Sequence, residues 1–177
     1  TGGKAVFHDL EITYSFIVPE NKNLFPFEVN ESYKIIAKAL VIALKKVGIN
    51  SEIKKVPEKI ATPICFNSSN WYELIVNNKK ISGSAQRRFN GKVLQHGSLL
   101  IDFDYNKNNS IFNSNNSFNN INNLKNRITS LKREINNIIN YNNLAEAIKL
   151  GFKDNFDFNL IDDSLTNEEI VLAKKLR

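Results

Sequence analysis

The stretch TPICFNSSNWYEL, from Thr62 to Leu74, carries the one cysteine of the chain, Cys65, between a proline and a polar run. A thiol attacks carbon as its thiolate, so a working Cys65 needs a cation close by to lower its pKa. Lys79 and Lys80, on the strand that follows, are the cations within reach. Side chains alternate along a strand, so one of the two points inward and the other to solvent; the spacing does not say which. A lone cysteine is more often a small buried apolar residue than a nucleophile. The neighbours Asn67, Ser68, Ser69 and Asn70 favour a loop, where reactive residues tend to sit.

Few other residues offer chemistry. His8 and His96 each lie beside or within a strand-like run, where a histidine is usually a hydrogen-bonded structural residue. One cysteine and two distant histidines have none of the close spacings that metals use, so no metal site is expected. Gly2 and Gly3, in TGGKA, let a backbone approach a ligand closely, but they match neither a phosphate loop nor a dinucleotide fingerprint. Gly83 to Gln86 (GSAQ) places small residues inside a strand, a pattern that often marks close approach by ligand or backbone.

The elements that must position these residues follow from local patterning. Thr1 to Val18 reads as β structure, with ITYSFIV (Ile12 to Val18) rich in β-branched and aromatic residues. From Asn30, taken as the N-cap, a helix places Tyr33, Ile36, Leu40, Leu44 and Val47 on one face and ends near Gly48. Glu31 suits its start, and Lys45 and Lys46 its end. Ser51 to Lys55 reads as a short strand and Val56 to Thr62 as a loop. A β-meander follows: Tyr72 to Val76, a turn at Asn77-Asn78, a strand from Lys79 to Arg88, the Asn90-Gly91 hairpin pair, and a strand from Val93 to Asp104. The asparagine-dense tract over 105–123 reads as a long polar loop, since asparagine favours turns and caps. Helices are expected over Arg127 to Ile139 and Asn143 to Phe152. A last one is opened by the capping box Thr166-Asn167-Glu168-Glu169. Strands first and helices last give an α+β class.

Bulk properties set limits. A chain of 177 residues fits one domain spanning 1–177. It has no methionine, even at position 1, and opens on what reads as the interior of a motif; an N-terminal portion is expected to precede it. One cysteine rules out an internal disulfide framework and agrees with a reducing, cytoplasmic setting. No apolar run reaches the roughly 18–20 residues that span a bilayer, so no membrane association is expected. The net charge of +6 favours acidic partners, and its even spread speaks against nucleic acid.

Taken together, TGGKAVFHDLEITYSF, CFNSSNWYELIVNNKKISGSAQRRFNGKVLQHGSLLIDFD and LAEAIKLGF…LTNEEIVLAKKL closely resemble the lipoate–protein ligase and octanoyltransferase superfamily, in the family's order, except in the asparagine tract. Within it the match is nearest to the cysteine-loop octanoyl-[acyl-carrier-protein]:protein N-octanoyltransferases. The resemblance implies a biotin/lipoyl-ligase-like fold, a mixed and largely antiparallel sheet flanked by helices. It implies Cys65 as the acyl-thioester nucleophile, and Lys80 as the lysine that lowers the thiol pKa and orients the acyl carbonyl. Gly2, Gly3 and His8 would belong to the glycine-rich motif beside the acyl pocket; Ser84, Ala85, His96 and Gly97 would line or support it. No cofactor is implied. The donor would be octanoyl-acyl carrier protein, and the acceptor a lipoyl domain or a glycine-cleavage H-type protein. Three other readings stay open: an ATP-dependent lipoate ligase, an amidotransferase between lipoyl-bearing proteins, and a non-catalytic module that binds acyl or lipoyl domains. Lys4 stands where the ligases commonly carry a third glycine, which speaks mildly against the first of these.

Overall fold

Alternation of apolar and polar residues builds β1 (Glu11–Pro19), in which Ile12, Tyr14 and Val18 are buried between exposed neighbours. The structure, a computed structural model, describes residues 6–21, 25–54, 72–111, 121–135 and 140–176. Gly2, Gly3 and Cys65 lie outside the described residues, as does the loop expected over Val56 to Thr62. β1 pairs antiparallel with β6 (Lys92–Leu100) over its whole length, and β6 pairs on its other edge with β5 (Ser82–Phe89). The β5–β6 hairpin turns at Asn90 and Gly91, with φ of 49° and 69°, the turn whose twist matches that of paired strands. A second antiparallel sheet holds β2 (Glu52–Ile53), β3 (Leu74–Val76) and β4 (Lys79–Lys80) in that order. Its β3–β4 turn uses Asn77 and Asn78, both at positive φ.

The expected single meander is therefore two three-stranded sheets. The strand foreseen from Lys79 to Arg88 divides at Ile81, a fully buried residue that serves both sheets. Its amide donates to the Leu74 carbonyl at 3.0 Å, and its carbonyl accepts from the Leu100 amide at 3.0 Å. β6 also stops at Leu100 rather than Asp104, because the Ile101 and Asp102 amides turn away to the Leu10 carbonyl.

One face of the β1–β6–β5 sheet is covered by α1 (Val29–Lys46) and α5 (Tyr141–Phe156), which pack on each other. Ile36, Leu40 and Leu44 are buried as the helical spacing requires, and Ala37, Ala39 and Ala43 join them. The helix begins at Val29 with Glu28 as its extended N-cap, two residues earlier than the cap expected at Asn30. It ends where Gly48 takes φ +85°. The two helices touch backbone to backbone at Gly151, where a Cβ would come 2.4 Å from the Ala39 carbonyl oxygen.

The tract expected as a loop over 105–123 is helical at both ends, as α2 (Tyr105–Ile111) and α3 (Ile121–Arg127); residues 112–120 lie outside the described residues. Asp104 caps α2 by accepting from the Lys107 amide at 3.0 Å, and the buried Tyr105 donates its hydroxyl to the Ile128 carbonyl at 2.8 Å. Asparagine's poor helix propensity is thus offset by a cap and a buried anchor. The helix foreseen over Arg127 to Ile139 is interrupted for a tertiary reason. Ile128 forms a parallel bridge to Lys80, and the Thr129 amide donates to the Lys80 carbonyl at 2.9 Å. A single turn, α4 (Leu131–Glu134), follows. α5 is capped by the Asn140 side chain, and α6 (Asn167–Lys175) carries both bonds of the Thr166–Glu169 capping box. Among the described residues no helix is long and apolar enough to cross a membrane.

Candidate active site

Lys80 is the inward-facing lysine of the pair Lys79–Lys80. Its ammonium lies 2.7 Å from Oε1 of Glu73, and the two side chains are only 7% and 5% exposed. An ammonium withdrawn from water needs a counter-charge, and Glu73, just before β3, supplies it across the β3–β4 hairpin. The backbone of Lys80 is held as firmly, by β3 on one side and by Ile128 and Thr129 on the other.

The remaining candidates divide between the two faces of the β1–β6–β5 sheet, because strand side chains alternate. Ser84 and Gly97 stand in register with Tyr14 on the face toward α1 and α5. A Cβ at Gly97 would lie 2.5 Å from the Gly83 carbonyl oxygen, 2.6 Å from Ser84 Oγ and 2.8 Å from the Tyr14 ring. Glycine there leaves room for the Tyr14 and Ser84 hydroxyls to meet at 2.7 Å. Burial pushes the Tyr14 phenol above its ordinary range, although hydrogen bonds from Gln95 and Ser84 act the other way. Gln95 passes the network to Gln86 at 2.8 Å, and Gln86 passes it to Ser32 of α1 at 3.0 Å. Arg88 closes it with Glu20 at 2.7 Å. Ser84 and Gly97 therefore belong to a polar seam that ties the sheet to its helices.

His96, Ala85 and Ser98 face the other way, together with Glu11 and Thr13. His8 joins them through its Nδ1, which meets Glu11 Oε1 in a short contact. The same oxygen accepts from Ser98 Oγ at 2.7 Å and from Thr13 Oγ1 at 3.2 Å. Gly83, Ala85 and His96 are half-buried on this face, so a flat strip of small residues runs past the His8 cluster.

The two groups share one end of the sheet. Glu11 pairs with Leu100, and Ile81, beside Lys80, receives the Leu100 amide. The segments bearing the carboxylate and the ammonium thus both reach the end of β6, one through Glu11 and the other through Ile81, next to Lys80. A fixed ammonium stands at one of these places and an anchored imidazole near the other. Sequence reasoning had not singled out Glu73, Glu11 or Ser98. Glu11 was findable three residues after His8, and Ser98 two residues after His96 on the same strand face; Glu73 carried no such signal.

The chain is also similar to known proteins. Residues 1–153 match the family model of the lipoyl protein ligase A/B catalytic domain. The chain is 36% identical over 187 residues to octanoyltransferase LipM of Brevibacillus brevis and 35% identical over 188 residues to that of Staphylococcus aureus. Both matches cover 99% of this chain and 68% of the relative. A bipartite lipoate protein ligase from Thermoplasma acidophilum superposes with a TM-score of 0.79 at 18% identity, over 99% of this chain and 63% of that one; at that identity the likeness speaks for the fold.

Proposed function

This chain belongs to the lipoyl protein ligase A/B catalytic-domain family, on its octanoyltransferase branch, and from that premise we propose that it moves an octanoyl group from acyl carrier protein to a lysine of a lipoyl domain through a thioester on Cys65. As an acyltransferase it works in two steps. The Cys65 thiolate attacks the carrier-bound thioester carbonyl, the carbon–sulfur bond to the carrier breaks, and the carrier leaves as its thiol. The lysine amine of the acceptor then attacks the octanoyl-enzyme, forms the amide and releases the Cys65 thiolate. An amide is more stable than a thioester, so the second step runs downhill.

The observation that carries this reading is the buried Lys80–Glu73 pair at 2.7 Å. Both steps gather negative charge on a carbonyl oxygen, and a pre-set cation in a water-poor site stabilises that charge far better than one in water. Nothing has to reorganise, because Lys80 is already held at its ammonium and along its backbone. The excess of 24 Lys and Arg over 18 Asp and Glu suits attraction of an acidic carrier or acceptor domain.

The test is intact-protein mass spectrometry after mixing with octanoyl-acyl carrier protein in the absence of ATP. A single hydroxylamine-labile octanoyl adduct is expected, and it should vanish in Cys65→Ser. Lipoylation-domain acylation that needs ATP and persists in Cys65→Ser would replace this reading with an adenylate-forming ligase.

A further inference from the structure

The face of the β1–β6–β5 sheet that turns away from α1 and α5 ends, at the hairpin side, in two rows of strand partners. They are Ile17–Leu94–Arg87 and Pro19–Lys92–Phe89. Ile17 is 66% exposed and Phe89 62%, with Leu94 half-buried between Ile17 and Arg87. The Arg87 guanidinium lies 5.3 Å from the centre of the Phe89 ring. Among the described residues neither Arg87 nor Lys92 forms an ion pair, whereas Arg88, on the opposite face, is matched by Glu20 at 2.7 Å. Glu11 is the one acid within the three strands, and it stands at the other end of the sheet. Single exposed apolar residues need no explanation. An aromatic ring, two aliphatic side chains and two unmatched cations on adjacent strands have the composition of an interface centre.

Resting on the octanoyl transfer argued above, we propose that this patch is where the donor docks, an acidic carrier protein whose carboxylates meet Arg87 and Lys92 around an apolar contact on Ile17, Leu94 and Phe89. Two cations with no carboxylate beside them attract an acidic surface and repel a basic one. Distance separates donor from acceptor. Ile81, next to Lys80, meets β6 at Leu100, and the strand from Leu94 to Leu100 measures about 20 Å. A lysine side chain is far too short to bridge that length from a domain seated on the patch. A carrier offers its thioester on a long flexible arm. Between the patch and Leu100 the outer strands show only Ser15, Ala85, Thr13 and Gly83 on this face, a low track along which such an arm can lie. The contact is small, which suits a partner that must leave once it has given up its acyl group.

Arg87→Glu combined with Lys92→Glu reverses both unmatched charges at exposed positions, and Phe89→Ser removes the ring. Titration calorimetry at low salt reads binding of octanoyl-acyl carrier protein, and separately of a lipoyl domain, to the full chain. The charge-reversed variant should bind the carrier about 10-fold or more weakly, with a flatter dependence on salt, and should bind the lipoyl domain as the wild type does. A second arm compares octanoyl-acyl carrier protein with octanoyl-pantetheine, a thioester that has no protein attached. In both variants kcat/KM for the carrier should fall at least about 10-fold further than for octanoyl-pantetheine. Carrier binding equal to that of the wild type overturns the docking role, and so does an equal loss with the two donors. Weakened binding of the lipoyl domain in place of the carrier overturns the choice of donor. Carrier binding that depends on Arg87 and Lys92, in a wild type that forms no octanoyl adduct, upholds the docking surface and overturns the transfer reading instead.

Discussion

Replacing Glu73 by alanine removes one member of an ion pair whose side chains are 7% and 5% exposed. Breaking such a pair from one side takes a counter-charge away from a charge held out of water, and the usual cost is about 3–5 kcal/mol. A chain of 177 residues unfolds in urea with a slope near the upper end of the range for small proteins, roughly 2–3 kcal/mol per molar. The urea midpoint of Glu73→Ala should therefore fall by roughly 1 to 2.5 M, with the slope unchanged. Lys80→Ala should fall by a similar amount. The double variant should cost clearly less than the sum, because both single variants lose the same Lys80–Glu73 interaction. Glu73→Leu with Lys80→Met, two apolar residues of similar volume, should recover most of the wild-type midpoint while abolishing acyl transfer. A Glu73→Ala midpoint within about 0.3 M of wild type, or strictly additive single variants, would refute the account of Lys80 as a desolvated cation that depends on Glu73.

Two further outcomes concern positions around the site. Gly97→Ala should destabilise by about 1–3 kcal/mol in the same urea assay. Adding Ser84→Ala should recover little of that loss, because the nearest obstacle is the Gly83 backbone carbonyl at 2.5 Å rather than the serine hydroxyl. The Asp102 carboxyl is pushed up by burial, but the Lys132 hydrogen bond, the Phe103 amide and the charges of Lys132 and Arg133 together hold it below the usual carboxylate range. The unfolded chain therefore binds a proton there before the folded one does, and the stabilisation is present at neutral pH and lost as pH falls. The stability difference between wild type and Asp102→Asn should be constant above about pH 5 and shrink below about pH 4, as read from urea midpoints across that range.

Local chemistry made much of this fold legible in the sequence. β1 announced itself by alternation, α1 and α5 by apolar faces, the β5–β6 hairpin by Asn90-Gly91 and α6 by its capping box. What escaped were events decided between distant segments. Ile81 reads like any strand residue, and only the presence of Leu74 on one side and Leu100 on the other makes it the point where the chain changes sheets. Ile128 continues a helical pattern, and only its bridge to Lys80 interrupts it. α2 and α3 sit in residues of poor helix propensity and form on a cap at Asp104 and a buried Tyr105. At the candidate site, Lys80 and His8 were recognisable one at a time, whereas Glu73, Glu11 and Ser98 acquire meaning only as their partners.

The bond from the Tyr105 hydroxyl to the Ile128 carbonyl clasps the two ends of the asparagine tract together. Ile128 lies directly against Lys80, so the clasp stands between the tract and the candidate catalytic lysine. Insertions and deletions between α2 and α3 are then absorbed inside a closed loop, where doubling the length adds only about 0.6 kcal/mol of closure entropy. Drift in length and composition can accumulate there across generations without being transmitted to the lysine.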